Sequence, residues 1–146
     1  MSDTDFSPEE LRAQASGNQS ALFYVVLDWA LERDGSVDSW ANFMGRAFAP
    51  GWEDMKGASA REVARMAGKN FASSADSRFV SLDGDETRGE AVIDGPAEEW
   101  LEGTKLSREH VDRANEVIFR RIAEYLGLEL AAHRDEAGLH LLFTRA

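Results

Sequence analysis

The chain is 146 residues long, contains no cysteine and has a formal net charge of −11. That acidity opposes nucleic acid and anionic membrane surfaces, which both need a concentrated basic footprint; the longest basic cluster is Arg120-Arg121. The absence of cysteine excludes a disulfide framework, thiolate catalysis and Cys-ligated zinc.

The length fits one domain spanning 1–146, able to bury roughly 70% of its unfolded surface. Apolar residues make up 43% and charged residues 29%, as in ordinary globular proteins. The longest apolar run, Ala21 to Leu27, is far shorter than the roughly 20 residues of a membrane span. The acidic opening MSDTDFSPEE lacks the cationic region of a secretory signal. These features lead us to expect a cytoplasmic protein with neither nucleic acid nor membrane as a partner.

Residues 1–76 read as a helical layer. Ser7, Pro8 and Glu10 form a capping-box signature, and Phe6 is placed to staple to Leu11. Gly17-Asn18 predicts a break after this short helix. The next helix, about 19–33, is apolar almost all round, which predicts a buried central position. Asp34-Gly35 ends it. From about Val37, Trp40, Phe43, Met44, Ala47 and Phe48 fall at helical spacing and predict a core stripe. Ala49-Pro50-Gly51 stops that helix, leaving Trp52 and Met55 in a loop that serves as a lid or a dimer contact. Ser59 and Glu62 predict a second capping box, before a stripe of Val63, Met66, Ala67 and Phe71.

The period then changes. Phe79–Asp83 and Arg88–Asp94 read as strands around a Gly84-Asp85 turn. Asp83-Gly84-Asp85-Glu86 gathers carboxylates but lacks the ligand spacing of a calcium loop, so it reads as a solvated turn. Gly95-Pro96 closes the second strand, and a short amphipathic segment surrounds Trp100. Ser107 caps a long helix with Leu106 and Val111 as its staple. Val111, Ala114, Ile118, Ile122 and Leu126 form the stripe, with Phe119 beside it, and Gly127 terminates it. Glu129–His133 and Leu139–Thr144 form a closing hairpin about Asp135–Gly138. The fold expected is α+β: N-terminal helices packed with a four-stranded antiparallel sheet (β-β-α-β-β over 77–146) and one long helix.

Ala91-Val92-Ile93-Asp94-Gly95-Pro96 and the spaced set His133, Gly138, His140 and Phe143 carry a family likeness. The second half resembles the 4-vinyl-reductase-type ligand-binding domains and the L-2-amino-thiazoline-4-carboxylate hydrolase-like proteins. The resemblance implies hairpin, long helix, hairpin, with a small-molecule pocket between helices and sheet. The chain departs from the pattern where it would place cysteines: Gly95 stands before Pro96, and His133 and His140 stand at the closing positions. Thiol or Cys-metal chemistry therefore does not carry over.

His110, His133 and His140 are the chain's candidate transition-metal ligands. With a turn of two or four residues His133 lies opposite His140, within reach of one metal; a three-residue loop parts them. His110, near the start of the long helix, is a candidate third ligand, with Glu109, Asp112 or Glu129 as carboxylates around zinc or iron(II). Asn115 lies on the buried side of the long helix, where it either satisfies nearby backbone or reads a ligand. Tyr24, Asp28 and Glu32, four apart, read as one solvated polar stripe. Trp40, Trp52, Trp100 and Phe119 are candidates for an apolar pocket, oriented by Asn115 and His110. No GxSxG, phosphate-loop or dinucleotide motif is present. The leading expectation is a domain that binds a small apolar or aromatic ligand. The alternatives are a metal-dependent hydrolase using His133 and His140, and a non-catalytic homodimer formed through the Trp52 region or the sheet edges.

Overall fold

A computed structural model describes residues 3–146. The first helix starts where the capping chemistry places it. The Ser7 hydroxyl accepts the Glu10 N–H at 3.1 Å, and the Glu10 carboxylate accepts the Ser7 N–H at 2.7 Å. From there α1 (Pro8–Asp34) runs unbroken for 27 residues, so Gly17-Asn18 is not a break. The Gln14 amide donates to the Asn18 side chain one turn on, at 2.9 Å. Ser16 and Ser20 anchor the same stretch to the chain after α3, through 2.9 Å bonds to the Ser73 carbonyl and the Asp76 carboxylate. A lone glycine costs a helix about 1 kcal/mol, which such contacts offset. Gly35 ends the helix in the left-handed region (φ 71°), donating to the Leu31 carbonyl at 2.8 Å.

The position of α1 corrects a second expectation. It is the outermost helix, not a central one: Ser20, Tyr24, Leu27 and Ala30 are buried, whereas Leu22, Val25 and Trp29 are more than half exposed. A helix is buried all round only if neighbours surround it, and the places against the sheet are taken by later helices.

α2 (Asp38–Phe48) buries its small residues, Ala41 and Gly45. The absence of a side chain at Gly45 lets it sit against the aliphatic stem of Arg121; a Cβ there would lie 2.7 Å from that residue's Cβ. The aromatic stripe expected to be core therefore faces elsewhere. Trp40 and Met44 are half-buried, while Phe43, Ala47 and Phe48 are exposed. Ala49-Pro50-Gly51 ends α2 as expected, but the chain passes directly into a 3-10 helix, Ala49–Met55. Proline fits there because a first-turn N–H has no partner to lose. Trp52 and Met55 are accordingly half-buried on a helical turn rather than set in a loop.

α3 (Ala60–Ala72) forms half of its expected capping box: the Ser59 hydroxyl accepts the Glu62 N–H at 3.1 Å, without a return bond from Glu62. β1 (Arg78–Gly84) and β2 (Arg88–Asp94) pair as a hairpin with a bulge between Phe79 and Ser81. α4 (Arg108–Tyr125) leads into β3 (Leu128–Asp135) and β4 (Gly138–Arg145). The sheet order is β1-β2-β4-β3, antiparallel throughout, so β4 is inserted beside β2 and β3 lies at an edge.

The fold is thus α+β. Ala91, Ile93, Leu139, Leu141 and Phe143 of the central strands are all buried on one sheet face, against α3 and α4. α2 packs on α4, and α1 closes the outside. Gly89 is required on β2 because a Cβ would run into the Ala60 backbone at the start of α3. Among the described residues no helix is long and apolar enough to cross a membrane.

Candidate functional site

Trp40 and Phe48 of α2, which miss the core, line a cavity. It has a volume of about 620 Å³ and lies between α1, α2, the 3-10 helix, α3, α4 and the inner sheet face. Ligand pockets commonly fall in the range of about 300–1,000 Å³. One end is apolar. Trp52 meets Phe119 edge-on (centroids 6.1 Å apart, 88°), and Phe71 lies 5.5 Å from the same Phe119 ring. Trp40 stands edge-on to Phe23 at 5.6 Å, and Met44 and Phe48 complete that wall.

The other end is polar and tightly bonded. The Asp76 carboxylate accepts the hydroxyls of Ser20 (2.9 Å), Ser77 (3.2 Å) and Tyr24. Tyr24 is 3% exposed. Burial first, and then Asp76, drives its hydroxyl pKa far above the ordinary phenol value, so it stays a donor. Opposite, Arg134 grips Asp112 through two bonds of 2.6 and 3.0 Å and donates to the Gly95 carbonyl at 2.6 Å. Asn115 lies between the two ends on the cavity wall. Its amide has no hydrogen-bond partner among the described residues.

The structure brings Trp40, Trp52, Phe119 and Asn115 together at this cavity. It does not bring Trp100 or His110 there. Trp100 packs 6.1 Å from the Tyr24 ring and borders a smaller cleft of about 270 Å³. The His110 Nδ1 accepts the Ser107 N–H at 3.0 Å and completes the N-terminal cap of α4, a task usually given to Glu or Gln at that position. The polar stripe on α1 is not solvated as a unit. Tyr24 faces Asp76, and Asp28 accepts the Lys105 backbone N–H at 2.9 Å; Glu32 stays exposed. Asp76 and Arg134 carried no sequence signal, because their partners lie far along the chain.

A second cluster lies on the opposite sheet face. Asp135 pairs with Gly138, leaving a two-residue turn that sets His133 directly opposite His140. The rings stack with centroids 4.3 Å apart and planes 11° from parallel. His140 Nε2 lies 2.8 Å from the Asp135 carboxylate and Nδ1 lies 3.4 Å from Glu90. One ligand atom each from His133, Asp135 and His140 fall within 4.8 Å of one another. His140 foremost, and the Ala137 N–H after it, hold the Asp135 carboxyl below its usual range. His110 is not part of this group, and Asp112 is committed to Arg134; the nearby carboxylate is Asp135, at the start of the hairpin turn.

No family model matches the chain, and no curated protein matches it either.

Proposed function

We propose that this chain binds a small molecule in the cavity, with an apolar or aromatic body and one uncharged hydrogen-bonding end. The observation that carries this reading is the Asn115 amide, bonded to nothing among the described residues, on the cavity wall one helical turn from Phe119. An amide that bonds nothing among the described residues and faces a cavity is available to a ligand's polar group. The carboxylates of Asp76 and Asp112 at the polar end oppose an anionic head, while the Arg134 charge is already matched by Asp112. A 4-vinyl-reductase-like or thiazoline-hydrolase-like binding domain fits the hairpin, long helix, hairpin order. Native mass spectrometry of the untagged protein and calorimetry with 2-naphthol test the proposal. One naphthol per chain is expected, weakened at least tenfold by Phe119→Ala. A clean apo mass together with no saturable uptake would sink it.

A second reading rests on the β3–β4 hairpin. His133, Asp135 and His140 are grouped to hold a zinc or iron(II) ion, with Glu90 bracing His140 from the far side. His133 is exposed and hydrogen-bonded to nothing among the described residues, so its ring nitrogens are available to an ion shared with the stacked His140. The sheet separates this cluster from the cavity, so the two readings are independent. Zinc titration of untagged protein is expected to give one ion per chain, lost in the His133→Ala/His140→Ala double variant. Equal zinc uptake by that variant would end this reading.

A further inference from the structure

The outward side of α1 is apolar, and its exposed residues fall at coiled-coil spacing. Leu11, Ala15, Asn18, Leu22, Val25 and Trp29 follow one another at alternating intervals of four and three residues, and all six are exposed. The four large ones are 55–62% exposed. Alternation of this kind is the a/d seam of a heptad, and it extends along most of a helix about 40 Å long. The contacts of α1 with the body run through Tyr24, Leu27 and Ala30, a different helical phase. The stripe is therefore not overflow from the core: α1 has two apolar faces. Single exposed apolar residues are ordinary, whereas a contiguous stripe marks a contact surface.

We propose that a second copy of this chain docks on this face, with the two α1 helices side by side and parallel. What would meet across the seam argues for this occupant. In a parallel pair every layer faces its own copy: Leu22 on Leu22, Val25 on Val25, Trp29 on Trp29. Asn18 then faces Asn18, so each buried amide has a partner and the register is fixed. An antiparallel pair that overlays the whole seam instead sets Leu11 against Trp29, Ala15 against Val25 and Asn18 against Leu22, so each buried amide faces a leucine. The flanking charges agree. Asp28 of one copy reaches Arg33 of the other in the parallel pair, a match that the overlaid antiparallel pair lacks. Six seam positions per copy, each losing on the order of 100 Å² of exposed surface, give a total of about 1,200 Å², the lower bound for a specific interface. That size suits a reversible dimer. It also differs from a dimer made through Trp52, which is turned inward against Phe119.

Sedimentation of the full chain over a range of concentrations tests the proposal. The mass is expected to rise toward twice 16.2 kDa. Val25→Glu and Trp29→Glu are expected to hold it at the single-chain value with the helical circular dichroism unchanged; Val25→Lys serves if either glutamate variant misfolds. Because the chain has no cysteine, Asn18→Cys introduces a lone thiol, which is expected to give a covalent dimer on mild oxidation. A single-chain mass up to several hundred micromolar overturns the proposal. A dimer that the Val25 and Trp29 variants leave intact places the contact elsewhere and also overturns it. A dimer that those variants dissolve, but that does not cross-link at position 18, overturns the parallel register.

Discussion

Asp112 on α4 and Arg134 on β3 bind each other two-pronged across the polar end of the cavity, at 2.6 and 3.0 Å. Their side chains are only 18% and 24% exposed. Removing one partner strands the other charge where water reaches it poorly. Arg134→Ala is expected to destabilise the chain by about 2–3 kcal/mol. The Asp112→Leu/Arg134→Met pair should cost less than the sum of the single changes. Urea denaturation of the double-mutant cycle measures the coupling, and additive costs would contradict it.

Tyr24 links stability to alkaline pH. Its folded pKa is raised, mostly by burial, above that of the unfolded chain. The unfolded chain therefore loses its phenol proton first, at about pH 10, while the folded chain holds it. The stabilisation is fully present below that pH and is lost as pH rises beyond it. Denaturation midpoints of the native chain should fall more steeply above pH 10 than those of Tyr24→Phe. At neutral pH that variant should lose about 1–2 kcal/mol, since Asp76 keeps two of its three hydroxyl donors.

Two glycines should respond in opposite ways to alanine. Gly17 lies within continuous helix, with nothing within 4 Å of an added Cβ. Gly17→Ala should raise stability by about 0.5–1 kcal/mol. Gly89 faces the Ala60 backbone, which cannot step aside as a flexible side chain can. Gly89→Ala should lower stability by about 1–3 kcal/mol. Thermal melts of both variants test the continuity of α1 and the seat of α3 on β2 together.

Asn115→Leu separates binding from folding. The amide bonds to nothing among the described residues, so its replacement should leave the melting temperature unchanged or raise it. Naphthol affinity should fall about tenfold, the loss of one hydrogen bond. A large drop in stability would show that Asn115 serves the fold.

The elements with strong local chemistry were legible in the sequence. Ser7, Ser59 and Ser107 cap the helices expected of them, and the β3–β4 turn gives the register that sets His133 opposite His140. The errors arose where tertiary neighbours decide. The apolar residues of α1 and α2 have helical spacing whether or not a neighbour covers them, so periodicity could not tell core from cavity wall or bare surface. Half of the cavity was visible as Trp40, Trp52, Asn115 and Phe119. The polar half was not, because Tyr24 meets Asp76, and Asp112 meets Arg134, only after the chain has folded back. His110 was read for its chemistry when its position three residues after Ser107 made it a cap.

The cavity draws its walls from nearly the whole length of the chain, from Gln19 on α1 to Leu139 on β4. No fragment made early in synthesis can contain it. Any occupant is thus linked to the global unfolding equilibrium, adding RT ln(1 + [L]/Kd) to it. Its signature in hydrogen exchange would be slower exchange of the most protected amides across helices and strands alike, rather than a local footprint on the residues it touches.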